Sequence, residues 1–280
     1  MSTRLSGALA RLWPELRHEP TEKRVRAFLG DHLVVDTVRA LLVWEPRRVV
    51  PGYAVPLADV RGELLPDDGG PPADDGRHVG FAVPDVTALR VLDPRVPFAV
   101  HTTPGEPVGV RVPGGDRVVE AFRPADPALA GLVVLDFDGC DAWYEEDEPL
   151  HGHPRDPFHR VDVRAGSRHV RVCAGERVLA DSVRPRLVFE TLLPVRWYLP
   201  ADDVSAVLVP SATRTWCAYK GEASYWSVET PDGLVPDAVW SYRDPLPDAA
   251  ELRGLLCFFD ERFDVAVDGV PRPRPVTPWS

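Results

Sequence analysis

Cys217 and Lys220 are the two side chains of this sequence whose chemical types and spacing best suit catalysis. They stand three residues apart in a Cys-Ala-Tyr-Lys-Gly segment, and Lys220 is one of two lysines in the chain. A lysine desolvated among aromatic rings can act as a nucleophile or base, whereas a charged lysine binds carboxylate or phosphate. A thiolate is a nucleophile beside a cation or histidine. Both are predicted catalytic residues; the alternatives are a lysine that closes a turn and a small buried cysteine.

Seven further residues, charged or aromatic and near this segment, are predicted to bind a ligand. They are Glu190, Arg196, Tyr198, Tyr225, Trp226, Trp240 and Tyr242. Arg196 and Lys220 would hold an anionic group, and the aromatic rings would form flat walls. Glu190 is either a general base or the ion-pair partner of Arg196 or Arg186. The alternative for the aromatic residues is that they form the core of a small β domain.

Three histidines lie in a polar segment before the second half of the chain. They are His151, His153 and His159, and Asp156 and Asp162 lie among them. These residue types can hold zinc, but no fourth ligand is evident, so we predict a polar linker, no metal site and no cofactor. No histidine follows Cys217, so a Cys–His pair would need a histidine from this linker or from the first half.

The composition limits the classes of function. A net charge of −11 argues against nucleic-acid binding, which needs a basic surface, and the 44% hydrophobic content is that of a soluble globular protein. No apolar run reaches roughly 18 residues, so no membrane span is predicted. The N-terminus lacks the apolar core of a signal peptide, and the four cysteines show no C-x-x-C pair, which indicates a reduced, cytoplasmic protein. The preference for arginine over lysine is typical of a high-GC bacterial genome. The oligomeric state is not predicted.

A repeated sequence predicts two domains of the same fold. The first copy aligns with the second at an offset of 145 residues (169 − 24), which is the length of a whole domain rather than of a solenoid repeat. The matched ranges are 24–39 with 169–184, 42–45 with 187–190 and, after one residue of slippage, 56–60 with 200–204.

Short β-branched runs between Gly, Pro and Asp turns predict a mainly β protein, with two small β-rich domains of short antiparallel strands and one short helix each. The predicted parts are an N-terminal helix (1–20), a first repeat domain (21–148), a linker (149–166), a second repeat domain with the candidate site (167–270) and a Pro-rich tail (271–280). The apolar residues of the first helix are expected to pack on the body of the protein; they are Leu5, Leu9, Leu12, Trp13 and Leu16. The helix of the second copy is expected to begin at an Asp248 N-cap. A loop is predicted from Pro66 to Arg77.

The first copy serves as an internal control for the site. At the positions of Cys217–Gly221 it has His101–Gly105 (His-Thr-Thr-Pro-Gly), and Glu120 stands where the second copy has Trp240. The glycine is kept, which predicts a structural turn in both copies. The cysteine and lysine are absent, so only the second copy is predicted to hold the site.

The second copy resembles the family called domain of unknown function 427. The resemblance rests on Arg196–Pro200 (Arg-Trp-Tyr-Leu-Pro), on Trp216–Trp226 with its Cys-x-Tyr-Lys-Gly-x-Ala motif, and on Trp240–Tyr242 (Trp-Ser-Tyr). It covers most of the second copy, and the whole chain resembles the tandem form found in actinobacteria, with a degenerate first copy. The resemblance implies a small, mostly β domain and no particular activity.

A nucleotidyltransferase-like label that this family has carried is not supported by the residues of this chain. The segment Asp136–Gly139 (Asp-Phe-Asp-Gly) has the letters of a metal-binding motif, but the repeat aligns it with Phe259–Arg262. This alignment predicts a turn at the end of a strand in both copies.

Two hypotheses about function remain open. In the first, the second domain binds a small anionic, partly aromatic molecule, and an enzyme using Lys220 or Cys217 is its catalytic form. In the second, the protein is a non-catalytic scaffold or interaction module, whose aromatic residues form the core and whose acidic surface meets another protein.

Overall fold

The computed structural model describes residues 2–67, 79–82, 90–92, 95–277 and 279–280. Most of the loop predicted from Pro66 to Arg77 lies outside these residues. The chain divides into two compact units, Met1–Asp156 and Pro157–Ser280. Both consist of antiparallel sheets, which confirms the predicted mainly β fold class.

The first unit contains one α-helix and thirteen described strands. The helix is α1 (Leu5–Ala10), and the strands are β1 (Arg17–Pro20), β2 (Val25–Leu29), β3 (His32–Thr37), β4 (Leu41–Trp44), β5 (Gly52–Pro56), β6 (Glu63–Pro66), β7 (Val79–Ala82), β8 (Arg90–Leu92), β9 (Gly105–Arg111), β10 (Val118–Pro124), β11 (Leu132–Leu135), β12 (Ala142–Glu145) and β13 (Glu148–Leu150). Two 3-10 helices span Leu57–Asp59 and Pro127–Leu129.

The second unit contains eleven strands. They are β14 (Val161–Ala165), β15 (Val170–Ala174), β16 (Arg177–Ser182), β17 (Arg186–Glu190), β18 (Arg196–Leu199), β19 (Leu208–Cys217), β20 (Gly221–Thr230), β21 (Gly233–Tyr242), β22 (Leu256–Phe258), β23 (Asp264–Val267) and β24 (Val270–Pro271). Its 3-10 helices span Ala201–Asp203 and Pro247–Leu252. Strand β14 and the last two residues of β13 fall within the predicted linker.

The two units have the same strand order. The seven-stranded sheets run β1-β4-β5-β11-β10-β9-β6 and β14-β17-β18-β22-β21-β20-β19. The four-stranded sheets run β13-β12-β2-β3 and β24-β23-β15-β16, and β7 pairs with β8 in a separate sheet of the first unit. Each predicted repeat segment therefore forms the same strands in its own unit.

Both units fix the end of a strand with the same polar contact. The Thr37 hydroxyl donates to Asp59 at 2.6 Å, and the Ser182 hydroxyl donates to Asp203 at 2.6 Å. In each unit the arginine two residues after the hydroxyl residue also binds that carboxylate. Because both units make this contact, we assign Asp203 a structural role.

The two faces of the second seven-stranded sheet carry different clusters. Side chains alternate along a strand, so Trp197 and Leu199 of β18 pack in one core, while Tyr198 packs on the opposite face with Trp240. This second face is covered partly by Ala249 and Leu252 of the last 3-10 helix. The alternation decides which predicted site residues can meet.

The predicted N-terminal helix is present as α1, but its extent, part of its packing face and the N-cap of the second helix differ from the predictions. Helix α1 ends at Ala10 and is followed by turn residues 11–14, and residues 17–20 form β1, which pairs with β4. Of the predicted apolar stripe, Leu5, Leu9 and Leu12 are 71%, 54% and 47% exposed, whereas Trp13 is buried and Leu16 packs against a core cluster. In the second unit the N-cap is Leu246, not Asp248, and the helix is of the 3-10 type.

The predicted turns agree with the structure. Residues 137–139 and 260–262 are turns that follow strands β11 and β22, as the repeat predicts. All four cysteines are free thiols. Among the residues that the structure describes, no helix is long and apolar enough to cross a membrane.

Candidate functional site

A tight hairpin places Lys220 and Cys217. Strand β19 ends at Cys217, three turn residues follow, and β20 begins at Gly221, which pairs with Cys217. Gly221 has a φ of +95°, and a Cβ there would lie 3.3 Å from the Asp244 carbonyl oxygen, so the turn favours glycine. The Leu246 amide donates to the Lys220 carbonyl oxygen at 3.1 Å. The turn thereby directs the lysine side chain inward, where the residue is 7% exposed.

The Lys220 ammonium forms a buried ion pair with Glu190, at the end of β17. The side chains are 8% and 6% exposed, and Nζ donates to Glu190 Oε2. The other carboxylate oxygen, Oε1, lies 3.2 Å from His159 Nε2. The partner predicted for Glu190, either Arg196 or Arg186, is therefore wrong.

The ion pair determines the charge state of both partners. Burial alone raises the pKa of Glu190, but the Lys220 charge and the contact with His159 outweigh it and lower the pKa to about 2. Burial lowers the pKa of Lys220, but the carboxylate of Glu190 outweighs it, so the pKa lies above its usual value. Lys220 is consequently a charged donor and does not supply a neutral amine for nucleophilic attack or proton abstraction.

His159 contacts Glu190, and the sequence did not predict this contact. Its ring stacks on Tyr219, with centroids 4.4 Å apart and an interplanar angle of 18°. The signal that could have found it was the absence of any histidine after Cys217, which left the linker histidines as the nearest candidates.

The first unit handles the equivalent glutamate differently. Glu45 occupies the position of Glu190 and accepts hydrogen bonds from the backbone amides of Thr102 and Thr103 at 2.6 and 3.1 Å. His101 Nδ1 lies 2.7 Å from its other oxygen, and the His101 ring stacks on Phe122. The loop itself and a histidine thus satisfy this carboxylate without a lysine.

Arg196 has a structural role, which corrects its prediction as a ligand-binding cation. Its Nη1 and Nη2 donate to the two carboxylate oxygens of Glu261 at 2.9 and 2.6 Å, and the side chains are 5% and 0% exposed. The Thr277 hydroxyl donates to the same carboxylate at 2.5 Å. This pairing lowers the pKa of Glu261 despite its burial, so both side chains are charged and each neutralises the other.

Three of the predicted aromatic walls are core residues. Tyr198, Trp240 and Tyr242 are between 1% and 7% exposed and belong to one buried cluster. The Trp240 indole donates to the Tyr198 hydroxyl oxygen at 2.9 Å. Burial raises the pKa values of Tyr198 and Tyr242 well above the usual value, so both hydroxyls stay protonated. The structure therefore favours the alternative that these aromatic residues form the core of the second domain.

The last two predicted walls lie on opposite faces of β20. Tyr225 pairs with Trp240 across the strands and packs on the Lys220 face, where its hydroxyl lies 2.8 Å from Thr215 Oγ1. Trp226 packs against the opposite core. The prediction that Trp226 lines the same site as Lys220 is therefore wrong, because neighbouring residues of a strand face opposite ways.

Cys217 lies close enough to Lys220 and Tyr242 to interact with them electrostatically. The two predicted catalytic residues therefore lie at the same turn. Of the linker histidines, His153 contacts the Pro154 carbonyl oxygen at 2.7 Å, and His159 contacts Glu190. Within the described ranges, no three His, Cys, Asp or Glu side chains are placed to hold a metal ion.

The fold defines a class: a protein of two antiparallel β units with the same strand order. A family model described as "Domain of unknown function (DUF427)" matches residues 162–269, within the second unit. The resemblance drawn from the Cys-x-Tyr-Lys-Gly motif is thereby confirmed for that unit. A comparison with curated proteins found no match. The family description names no activity, so the function has to be argued from the site.

Proposed function

We propose that the second unit binds a small molecule with an anionic oxygen and a flat part, and that Lys220 recognises the oxygen. The observation that carries the proposal is the contrast between the two units. The same buried glutamate is satisfied in the first unit by backbone amides and a histidine, without a side-chain ammonium. The fold therefore accommodates a buried glutamate at this position without a lysine, and the lysine is particular to the second unit.

The ammonium has hydrogen-bonding capacity to spare. A lysine carries three N–H donors, and among the described residues its one hydrogen bond is to Glu190. The opposite charges of the pair cancel, so the ligand is held by charge-assisted hydrogen bonds rather than by a large excess of positive charge. A single carboxylate or phosphate oxygen fits this donor set, and Tyr225 and the stacked His159–Tyr219 rings supply flat surface nearby.

Cys217 is the nucleophile in the catalytic form of this proposal. Lys220 stays charged and positions the anionic group, and Cys217 lies at the same turn. We place this function in a bacterial cytoplasm, on the basis of the free cysteines and the arginine-rich composition.

A scaffold or interaction module is the second candidate, and the buried aromatic cluster favours it. With Tyr198, Trp240 and Tyr242 in the core, much of the aromatic signal in the sequence is explained by packing. In this case the acidic surface, with a net charge of −11, would meet a protein partner.

The test compares Lys220→Met with Lys23→Met. Lys23 is the other lysine, and it also pairs with a glutamate, Glu145 at 2.5 Å. Thermal shifts of the full chain are measured with a panel of small carboxylates and phosphates. A ligand present at about 100 times its Kd stabilises the folded state against unfolding by about 2.7 kcal/mol, which raises the melting temperature. We expect the wild type and Lys23→Met to share at least one stabilising anion and Lys220→Met to lose it.

The double variant Glu190→Gln/Lys220→Met guards against misfolding, because it removes both charges of the buried pair together. Retention of every ligand-induced shift in a folded Lys220 variant would refute the proposal. So would the absence of any stabilising anion for the wild-type protein, which would leave the scaffold as the function.

A further inference from the structure

We infer that a concavity on the opposite face of the second sheet is a separate binding site for a planar molecule with one carboxylate or phosphate group. It lies above Trp226 and has a volume of about 490 Å³. Pockets of roughly 300–1,000 Å³ hold small molecules in proteins. Lys220 does not line it, and the inference does not depend on the proposed function.

The floor of the concavity is apolar, with two hydroxyl groups beside it. Leu208, Trp226 and Leu256 line it together with Ser224 and Ser241. The two serines are direct cross-strand partners of β20 and β21, so their side chains are neighbours on one face. An indole beside paired hydroxyls suits a flat ring that carries hydrogen-bonding groups at its edge.

Two arginines line the concavity as well. Arg253 is 62% exposed and binds the Asp244 carboxylate and the Arg243 carbonyl oxygen. Arg243 is exposed, and its guanidinium makes no hydrogen bond or ion pair with any residue that the structure describes. Because Asp244 offsets the charge of one arginine, about one positive charge remains, which suits a single anionic group held by a planar guanidinium.

The first unit lacks this combination of residues. Its strand register places Val108, Val110 and Ala121 at the positions of Ser224, Trp226 and Ser241. These three residues belong to the buried core of the first unit. The hydroxyls and the indole are therefore not requirements of the fold.

The arginine of the first unit is also engaged differently. Arg123 occupies the position of Arg243 and pairs with Glu106 at 3.5 Å. The residue equivalent to Glu106 is Glu222, and it does not pair with Arg243 in the described structure. An unpaired guanidinium beside an apolar, hydroxyl-lined concavity is thus particular to the second unit.

Calorimetric titration of the full chain tests the inference with three probes. Naphthalene-2-carboxylate carries the ring and a carboxylate, adenosine monophosphate carries a ring and a phosphate, and 2-naphthol is a ring without the anionic group. We expect at least one anionic probe to bind with a Kd below about 1 mM and 2-naphthol to bind about tenfold more weakly. The probe that binds shows whether the site prefers a carboxylate or a phosphate group.

Variants locate the binding. Arg243→Ala, at an exposed position, should raise the Kd of the anionic probe about tenfold. Ser224→Val, which introduces the residue type of the first unit, should abolish its binding. The matched control Arg123→Ala should bind as the wild type does, and Lys220→Met should keep the binding that Arg243→Ala weakens. The inference is overturned if neither anion binds the wild type, or if Arg243→Ala binds unchanged. Binding that is lost in Lys220→Met but kept in Arg243→Ala would overturn it and support the proposed function instead.

Discussion

Replacement of Arg196 by methionine separates a structural arginine from a ligand-binding one. Arg196 and Glu261 are paired through two hydrogen bonds, with side chains 5% and 0% exposed. Methionine keeps much of the volume beside Trp240 but leaves the Glu261 carboxylate with Thr277 as its remaining side-chain donor in the described structure. Removal of one partner of a buried pair costs about 3–5 kcal/mol, because the other charge stays buried and unpaired.

Arg184→Met is the matched control. Arg184 also pairs with an aspartate in the second unit, but its side chain is 59% exposed. An exposed pair contributes about 0–1 kcal/mol, so the same substitution there should have a small effect. The double variant Arg196→Met/Glu261→Met should recover most of the lost stability, because an apolar pair of similar volume replaces both buried charges.

The measurement is urea-induced unfolding of the full chain, followed by tryptophan fluorescence, since Trp240 and Trp279 lie beside the Arg196 guanidinium. With two units the curve can show two transitions, and the free energy is taken from the one that moves. If Arg196→Met costs no more than Arg184→Met but abolishes ligand binding, the structural assignment of Arg196 is refuted.

Two further predictions concern the Lys220 turn. The pKa of Glu190 is about 2 against a usual 4.5, so its carboxylate stabilises the fold above pH 4.5 and this contribution, at most about 3 kcal/mol, is lost as the pH falls to about 2. Melting temperatures between pH 5 and 2 should fall less steeply in Glu190→Gln/Lys220→Met than in the wild type, and equal slopes would contradict the assignment. Gly221→Ala should cost about 1–3 kcal/mol, because alanine is strained at φ +95° and its Cβ approaches the Asp244 carbonyl oxygen. Gly7→Ala, with nothing within 4 Å, is the control in the same melting experiment, and equal effects would argue against strain at Gly221.

The sequence by itself determined the fold class and the repeat. Alternating β-branched runs between turn residues depend on local periodicity, and that periodicity survives in any tertiary context. The same holds for the turn at Gly221, since glycine at a hairpin is a local backbone requirement. For Lys220 and Cys217 the spacing alone left two arrangements open, opposite faces of a strand or neighbours at a turn, and the structure has the turn.

Helix details were less predictable. The predicted apolar stripe is covered only at its C-terminal end: Leu5, Leu9 and Leu12 are exposed, whereas Trp13 is buried and Leu16 packs against the core. The periodicity of apolar residues predicts an amphipathic helix, but tertiary packing decides which of its side chains are buried against the rest of the protein. Residues 17–20 form a strand because β4 offers its edge to them, and no local signal encodes that edge.

Only the tertiary structure decided the partners of the charged residues. Glu190 meets Lys220 from 30 positions away, and Arg196 meets Glu261 from 65 positions away, so sequence distance favoured the wrong pairing of Glu190 with Arg196. Strand register then assigned Tyr225 and Trp226 to opposite faces. Composition and motifs specify which side chains are present; the contacts that neutralise a buried charge depend on which strands the sheet brings side by side.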